Sequence, residues 1–143
     1  MAKASGTVDS PLDAAEVFAR VSDFSTAEQW DPGIVEGEKL TDGGVDVGAR
    51  FRIVAKFMGR NSELVYEVTE FEPGRRVVLR GENATVVSID EIVVEPSGSG
   101  SRLTYSADLR LKGPLRLADP ALGVVFGGIA RKALAGLEDW LSR

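Results

Sequence analysis

The segment TVVSIDEIVVEP, residues 85–96, places two carboxylates side by side in a run rich in β-branched residues. Adjacent side chains on a strand point to opposite faces. One of Asp90 and Glu91 therefore faces whatever the sheet encloses. A carboxylate there demands hydrogen-bond partners, or it shifts its pKa upward, because burial disfavours the charged form. Such a group can orient a hydroxyl or carbonyl of a ligand, or act as a general acid or base on an enolisable carbonyl. It can equally be a structural acceptor for Ser88, Tyr66, Tyr105 or a backbone group.

The rest of the composition narrows that chemistry. The chain of 143 residues has no histidine and no cysteine. This excludes thiolate nucleophiles, disulfides, the usual catalytic triads and the usual zinc sites. Carboxylates, Tyr, Lys, Arg, Ser and ordered water remain. No acidic cluster has the spacing of a calcium loop, and no cofactor is implied. A net charge of −5 without a basic stripe argues against nucleic acid as a partner. No apolar run approaches the ~18 residues of a membrane span, and MAKASGTVDS lacks the apolar core of a signal peptide. The expectation is a cytoplasmic protein forming one domain over residues 1–143.

The elements that position these residues follow from period. AKASGTVD reads as a short edge strand. Ser10-Pro11 reads as a helix start, with Ser10 as N-cap, Pro11 at the first helical position and Asp13 in the first turn. Ala14, Val17, Phe18 and Val21 then follow at helical spacing. Asp23-Phe24-Ser25 ends that helix, and STAEQW makes a second short one, closed by Asp31-Pro32-Gly33. From IVEGEKLT onward the period becomes two. ARFRIVAKFM, SELVYEVTEFE, RRVVLRGE, TVVSIDEIVVE and SRLTYSADLRLK are strands joined by short turns, hence an antiparallel meander. Phe51, Ile53, Ala55 and Phe57 share one face, as do Leu103, Tyr105, Ala107, Leu109 and Leu111. Arg50, Arg52, Arg75, Arg76 and Arg80 fall on a solvated outer face. The chain closes with an amphipathic helix, Asp119 capping and Pro120 in its first turn. Its stripe is Leu122, Phe126, Ile129, Ala133, Leu137 and Trp140.

This order resembles the START-like, or SRPBCC, superfamily, within it the polyketide cyclase/dehydrase and lipid-transport branch. VDSPLDAAEVFARVSDFSTAEQWDP looks like that family's opening strand, helix and Trp-containing turn. YEVTEFEPGRRVVLR looks like its central hairpin, and GSRLTYSADLRLKGPLRLADPAL like its last strand and lead-in to the helix. The resemblance implies an α+β helix-grip fold, in which a curved antiparallel sheet of about seven strands wraps a long C-terminal helix, with two short helices after the first strand. It also implies a cavity between sheet and helix for a lipid-, aromatic- or polyketide-like molecule.

Within that frame, pairing of Val94 near Leu103 turns Val86, Ser88, Asp90, Ile92 and Val94 inward and Glu91 outward; a one-residue slip exchanges the sets. Ten residues are the candidate ligand-contacting set: Trp30, Phe51, Ile53, Tyr66, Leu79, Ser88, Asp90, Tyr105, Phe126 and Ile129. For each, core packing is the competing reading. Gly127-Gly128 costs about 1 kcal/mol per residue relative to Ala in a helix interior. The pair leaves the terminal helix thin, or else admits close approach of a strand. KGPLRLAD is either a lid or a plain connection.

Three functions compete on these grounds. The first is a binder of a small hydrophobic molecule. The second is a cyclase or dehydratase using Asp90 with a tyrosine as acid/base. The third is an interaction module with a filled core, whose outer residues Val87, Ile89 and Val93 form a homodimer patch.

Overall fold

Alternation of apolar and polar residues at period two runs through six consecutive segments, and each becomes a strand. The structure, a computed structural model, describes residues 2–57 and 59–142. Its strands are β1 (Ala2–Ser10), β2 (Ile34–Lys39), β3 (Arg50–Phe57), β4 (Arg60–Glu72), β5 (Arg76–Glu82), β6 (Val86–Ser97) and β7 (Gly100–Leu111). They form one antiparallel sheet in the order β1-β7-β6-β5-β4-β3-β2. Short turns join β3 through β7 and a longer loop, residues 40–49, joins β2 to β3, so β2 to β7 form a meander; β1 pairs with β7 as an edge strand. Two short helices, α1 (Ala14–Ser22) and α2 (Ala27–Trp30), follow β1, and α3 (Asp119–Trp140) ends the chain.

Val94 pairs directly with Leu103, and Asp90 with Ala107. The even-numbered residues of β6 therefore face the enclosed side. Asp90 points inward at 4% exposure. Glu91 points out, where its carboxylate accepts from Arg76 Nε at 2.7 Å. The outer arginines are ion-paired: Arg50 with Glu67 and Arg52 with Glu36 and Glu63 across strands, Arg75 with Glu72 at the β4–β5 turn, and Arg80 with Glu82 within β5. Exposed pairs of this kind contribute little each, typically below about 1 kcal/mol. Ile89 of the expected outer patch is 38% exposed, while Val87 and Val93 are half-buried.

One end of the space between sheet and helices is filled. Val17, Phe18 and Val21 of α1 join Val77, Ile92, Val94, Leu103, Leu137 and Leu141 in a continuous core. The start of α1 departs from the sequence expectation. Ser10 is still in β1, paired with Ser101. Its hydroxyl accepts from the Leu12 amide and donates to the Leu141 carbonyl at 2.6 Å. It fastens the end of α3 to the sheet and is not free to cap. Asp13 caps α1 instead, its carboxylate accepting from the Glu16 amide at 2.8 Å.

The last helix packs most closely on β1 and α2, not on the middle of the sheet. Gly136 makes the second contact possible: a Cβ there would lie 1.9 Å from the Trp30 carbonyl oxygen. Leu134 covers Gly6 of β1, where a Cβ would lie 2.5 Å from Leu134 Cδ1. Gly127 and Gly128 do not serve close approach to a strand, since a Cβ on either would meet only the Arg131 guanidinium, at 3.9 and 3.7 Å. They leave that turn of the helix thin. Two expected apolar side chains, Phe57 and Leu122, lie outside the described side chains.

These two kinds of glycine give opposite expectations for the same substitution. Gly136→Ala forces α3 off α2 and lowers unfolding free energy by about 1–3 kcal/mol despite the better helix propensity of alanine. Gly127→Ala meets open space and raises it by up to ~1 kcal/mol. Denaturant unfolding of the two variants measures both; equal effects would contradict this account of the helix contacts.

Candidate functional site

Away from the filled end, sheet and α3 part to leave a cavity of about 220 Å³. Its floor comes from inward positions on β3, β4, β6 and β7, including Ile53, Leu64, Ala107 and Leu109. Its roof comes from Phe126, Ile129, Ala130, Ala133 and Leu134 of α3. Gly127, Gly128, Ala130 and Ala133 give that stretch little volume, so it packs on the edge strand β1 and not on the middle of the sheet. The wall toward the short helices is Phe24, Ala27, Trp30 and Asp31. Ser62, Thr85 and Leu111, at strand ends, mark the side away from the α1 core. The lining is mostly apolar, as small-molecule sites are.

A hydrogen-bonded cluster of side chains lies on its sheet side. Ser88 Oγ donates to Asp90 Oδ1 at 2.6 Å, and the Tyr105 hydroxyl donates to Asp90 Oδ2. The Tyr66 side chain lies close to Ser88. Register brings Tyr66 beside this cluster. Tyr66 pairs with Gly81, and Gly81 pairs with Ser88. A Cβ at Gly81 would lie 2.6 Å from the Tyr66 ring, so the ring lies across the glycine toward the next strand. Phe24 packs on the Tyr66 ring itself, tilted, at a centroid distance of 4.9 Å.

Burial dominates the electrostatics. Desolvation pushes the Asp90 carboxyl up to about 6, against the hydrogen bonds from Ser88 and Tyr105 that favour its charged form. The charge of Asp31 raises it further. Asp31 is itself raised, first by burial, although its Oδ1 accepts the Gly33 amide at 2.8 Å. Both tyrosines are pushed well above their ordinary value, by burial first and then by the nearby Asp90 charge. They therefore remain protonated donors at neutral pH. Trp30 is 5% exposed and meets Tyr105 edge-on at 6.0 Å. Its Nε1 is buried without a hydrogen-bond partner.

The expected ligand-contacting residues divide by position. Trp30, Ile53, Tyr66, Ser88, Asp90, Tyr105, Phe126 and Ile129 line the cavity. Phe51 and Leu79 lie in the packed core and do not. Asp31 lines the cavity but was read from sequence only as a helix terminator before Pro32. Its signal was an acid directly beside a buried tryptophan in a turn. Residues 112–115 of the expected lid segment do not line the cavity, and Leu115 is 48% exposed. Among the described residues no cluster of acids is placed to hold a metal ion, and no helix is long and apolar enough to cross a membrane.

The raised Asp90 carboxyl ties stability to pH. Its native value lies above the ordinary carboxylate value of 3.8. The folded state therefore holds the extra proton between these values, and stability falls as pH rises through that window. Asp90→Asn is expected to flatten the slope of unfolding free energy between pH 4 and 6, by about 1–3 kcal/mol across the window. Denaturant melts at both ends measure it. An unchanged slope would contradict the burial of an ionisable Asp90.

The sequence profile of the family described as polyketide cyclase/dehydrase and lipid transport matches residues 1–141. No curated protein matches the sequence. Among solved structures, a START superfamily protein from Mycobacterium smegmatis superimposes with a TM-score of 0.81 at 19% identity, covering 97% of this chain and 96% of that one. The Zhui aromatase/cyclase from Streptomyces sp. R1128 gives 0.78 at 15% identity, covering 97% and 92%. The di-domain aromatase/cyclase BexL from the BE-7585A biosynthetic pathway gives 0.69 at 22%, covering 97% of this chain and 46% of that one. At these identities the likeness is one of fold, the START helix-grip arrangement of a curled sheet closed by a C-terminal helix. Taken with the match along residues 1–141, it makes this chain a member of the polyketide cyclase/dehydrase and lipid-transport family.

Proposed function

We propose that this protein binds a small hydrophobic molecule in the cavity between the sheet and α3. The observation that carries the reading is a mostly apolar space of about 220 Å³ with a hydrogen-bonded cluster of Ser88, Asp90 and Tyr105 on its sheet side. A dry cavity of about 150 Å³ is enough for benzene. This one suits a guest of one or two fused rings, or the end of a longer acyl or polyketide chain entering from the strand ends. Affinity comes from apolar burial at about 25 cal/mol per Å², and the Asp90 cluster sets orientation. The family and the aromatase/cyclase folds it resembles fit the same class of guest.

A second reading is favoured by one specific observation. Asp90 is held at about 6 beside the Tyr105 hydroxyl. A carboxylate poised there works as a general base at neutral pH, with a tyrosine as proton donor to an enolising carbonyl. This supports a cyclase or dehydratase acting on the bound guest. The third reading, a module with a filled interior, gains no such support.

Filling the space separates binding from folding. Ala133→Trp is expected to lower the affinity for an environment-sensitive apolar dye at least ~10-fold while leaving the far-ultraviolet circular dichroism unchanged; fluorescence titration reads the loss. Dye binding that survives this substitution places the guest elsewhere. For the enzymatic reading, Asp90→Asn should abolish turnover of a polyketide-like substrate with its affinity retained. Unchanged turnover ends the catalytic role of Asp90.

A further inference from the structure

Three hydroxyls line the cavity from the middle of the sheet, those of Tyr66, Ser88 and Tyr105, and they are not equivalent. Each has one proton to give. Tyr105 gives its proton to Asp90 Oδ2, and Ser88 gives its proton to Asp90 Oδ1. Neither can hold an acceptor on a guest without releasing the carboxylate. Tyr66 lies close to Ser88 and feels the Asp90 charge. Among the described residues its hydroxyl proton has no acceptor. The ring that carries it is held from two sides: a Cβ at Gly81 would lie 2.6 Å from it, and Phe24 packs on it at 4.9 Å. At 8% exposure the residue is fixed in place before a guest arrives, as a preorganised donor must be.

The other donors on the lining are committed or out of reach. Trp30 Nε1 also has no partner, but it presents almost no accessible surface. The Ser5 hydroxyl shares a hydrogen bond with Ser106. Ser106 pairs with the outward Glu91, so that bond lies on the outer face of the sheet. Lys56 is exposed, and Ser62 is four residues from Tyr66 along β4, about 13 Å at strand rise. Thr85 is engaged with Asn83, and the Gly33 amide donates to Asp31. The proton available beside Asp90 is therefore that of Tyr66. A wholly apolar guest would bury it unpaired, which costs free energy, whereas a carbonyl oxygen would accept it.

We infer that Tyr66 is the residue that selects the guest, by donating its hydroxyl proton to a ketone or aldehyde oxygen at the guest's leading end, while Tyr105 and Ser88 are positioning residues that hold Asp90. The inference rests on the binding role proposed above and names the polar end of its ligand. It also separates the two tyrosines: one grips the guest, the other the acid.

The test compares 2-acetonaphthone with its apolar isostere 2-isopropenylnaphthalene, titrated by calorimetry at pH 8. That is two units above the Asp90 value of about 6, where this carboxyl has no proton of its own to offer. Tyr66→Phe keeps the ring and its packing and should lower the ketone-to-alkene affinity ratio ~5-fold, the size of one net hydrogen bond. Tyr105→Phe should change both probes by a common factor. It should also raise the Asp90 titration midpoint, followed by carboxyl carbon NMR, because a hydrogen bond that favours the charged form is lost. Tyr66→Phe should not raise that midpoint. A ratio that Tyr66→Phe leaves unchanged, or that Tyr105→Phe lowers instead, would overturn the inference, and continued binding of the alkene would leave the binding role intact. Failure of the natural protein to bind either probe would overturn both.

Discussion

The concave face of a curled seven-stranded sheet is wider than one helix can cover, and the rest of this molecule follows from where that helix is held. Its C-terminal half is pinned. Gly136 meets the backbone of α2, Leu134 sits on Gly6 of β1, and Leu137 and Leu141 enter the core beneath α1. Ser10 ties the last turn to the edge strand. The preceding turns, with Gly127, Gly128, Ala130 and Ala133, have little volume to offer the sheet. Left empty, a void of this size costs about 5 kcal/mol by the scale of core-truncation experiments. The filled end offsets that cost, and a guest would remove it.

Neighbouring acids on one strand show how the two faces of the sheet differ. Glu91 is in an exposed lattice of ion pairs with Arg76, which also reaches Glu70 and Glu72. Asp90, one residue away, has no cation among its hydrogen-bond partners and is held by hydroxyls in a desolvated pocket. The first arrangement keeps the outer face wet and weakly coupled. The second makes a titrating group sensitive to whatever enters the cavity.

Much of this was legible in the letters. Alternation in residues 86–94 and 102–111 left two registers a residue apart, and the pairing of Val94 with Leu103 selects the one that turns Asp90 inward. Punctuation was less reliable. Ser10-Pro11 has the composition of a helix start, but strand pairing with Ser101 and the Leu141 carbonyl claimed Ser10 first. Glycines in a helix could not be told apart by type. Gly136 is a contact, and Gly127 with Gly128 is an absence of contact, because what faces them is decided by tertiary packing. Phe51 and Leu79 have the right parity for the cavity, but parity fixes a face and not which part of that face is roofed. The lie of the Tyr66 ring across Gly81 was beyond sequence reading, since it needs the register of three strands and a glycine between them. Asp31 was hidden by its turn signal.

Xenon pressurisation of crystals tests the central claim most directly, since the atom settles in apolar voids and leaves polar ones to water. The account expects a xenon site between Ile53, Leu109 and Ile129, a few ångströms from the Asp90 cluster. Close-packed side chains there, or ordered water in place of xenon, would contradict it.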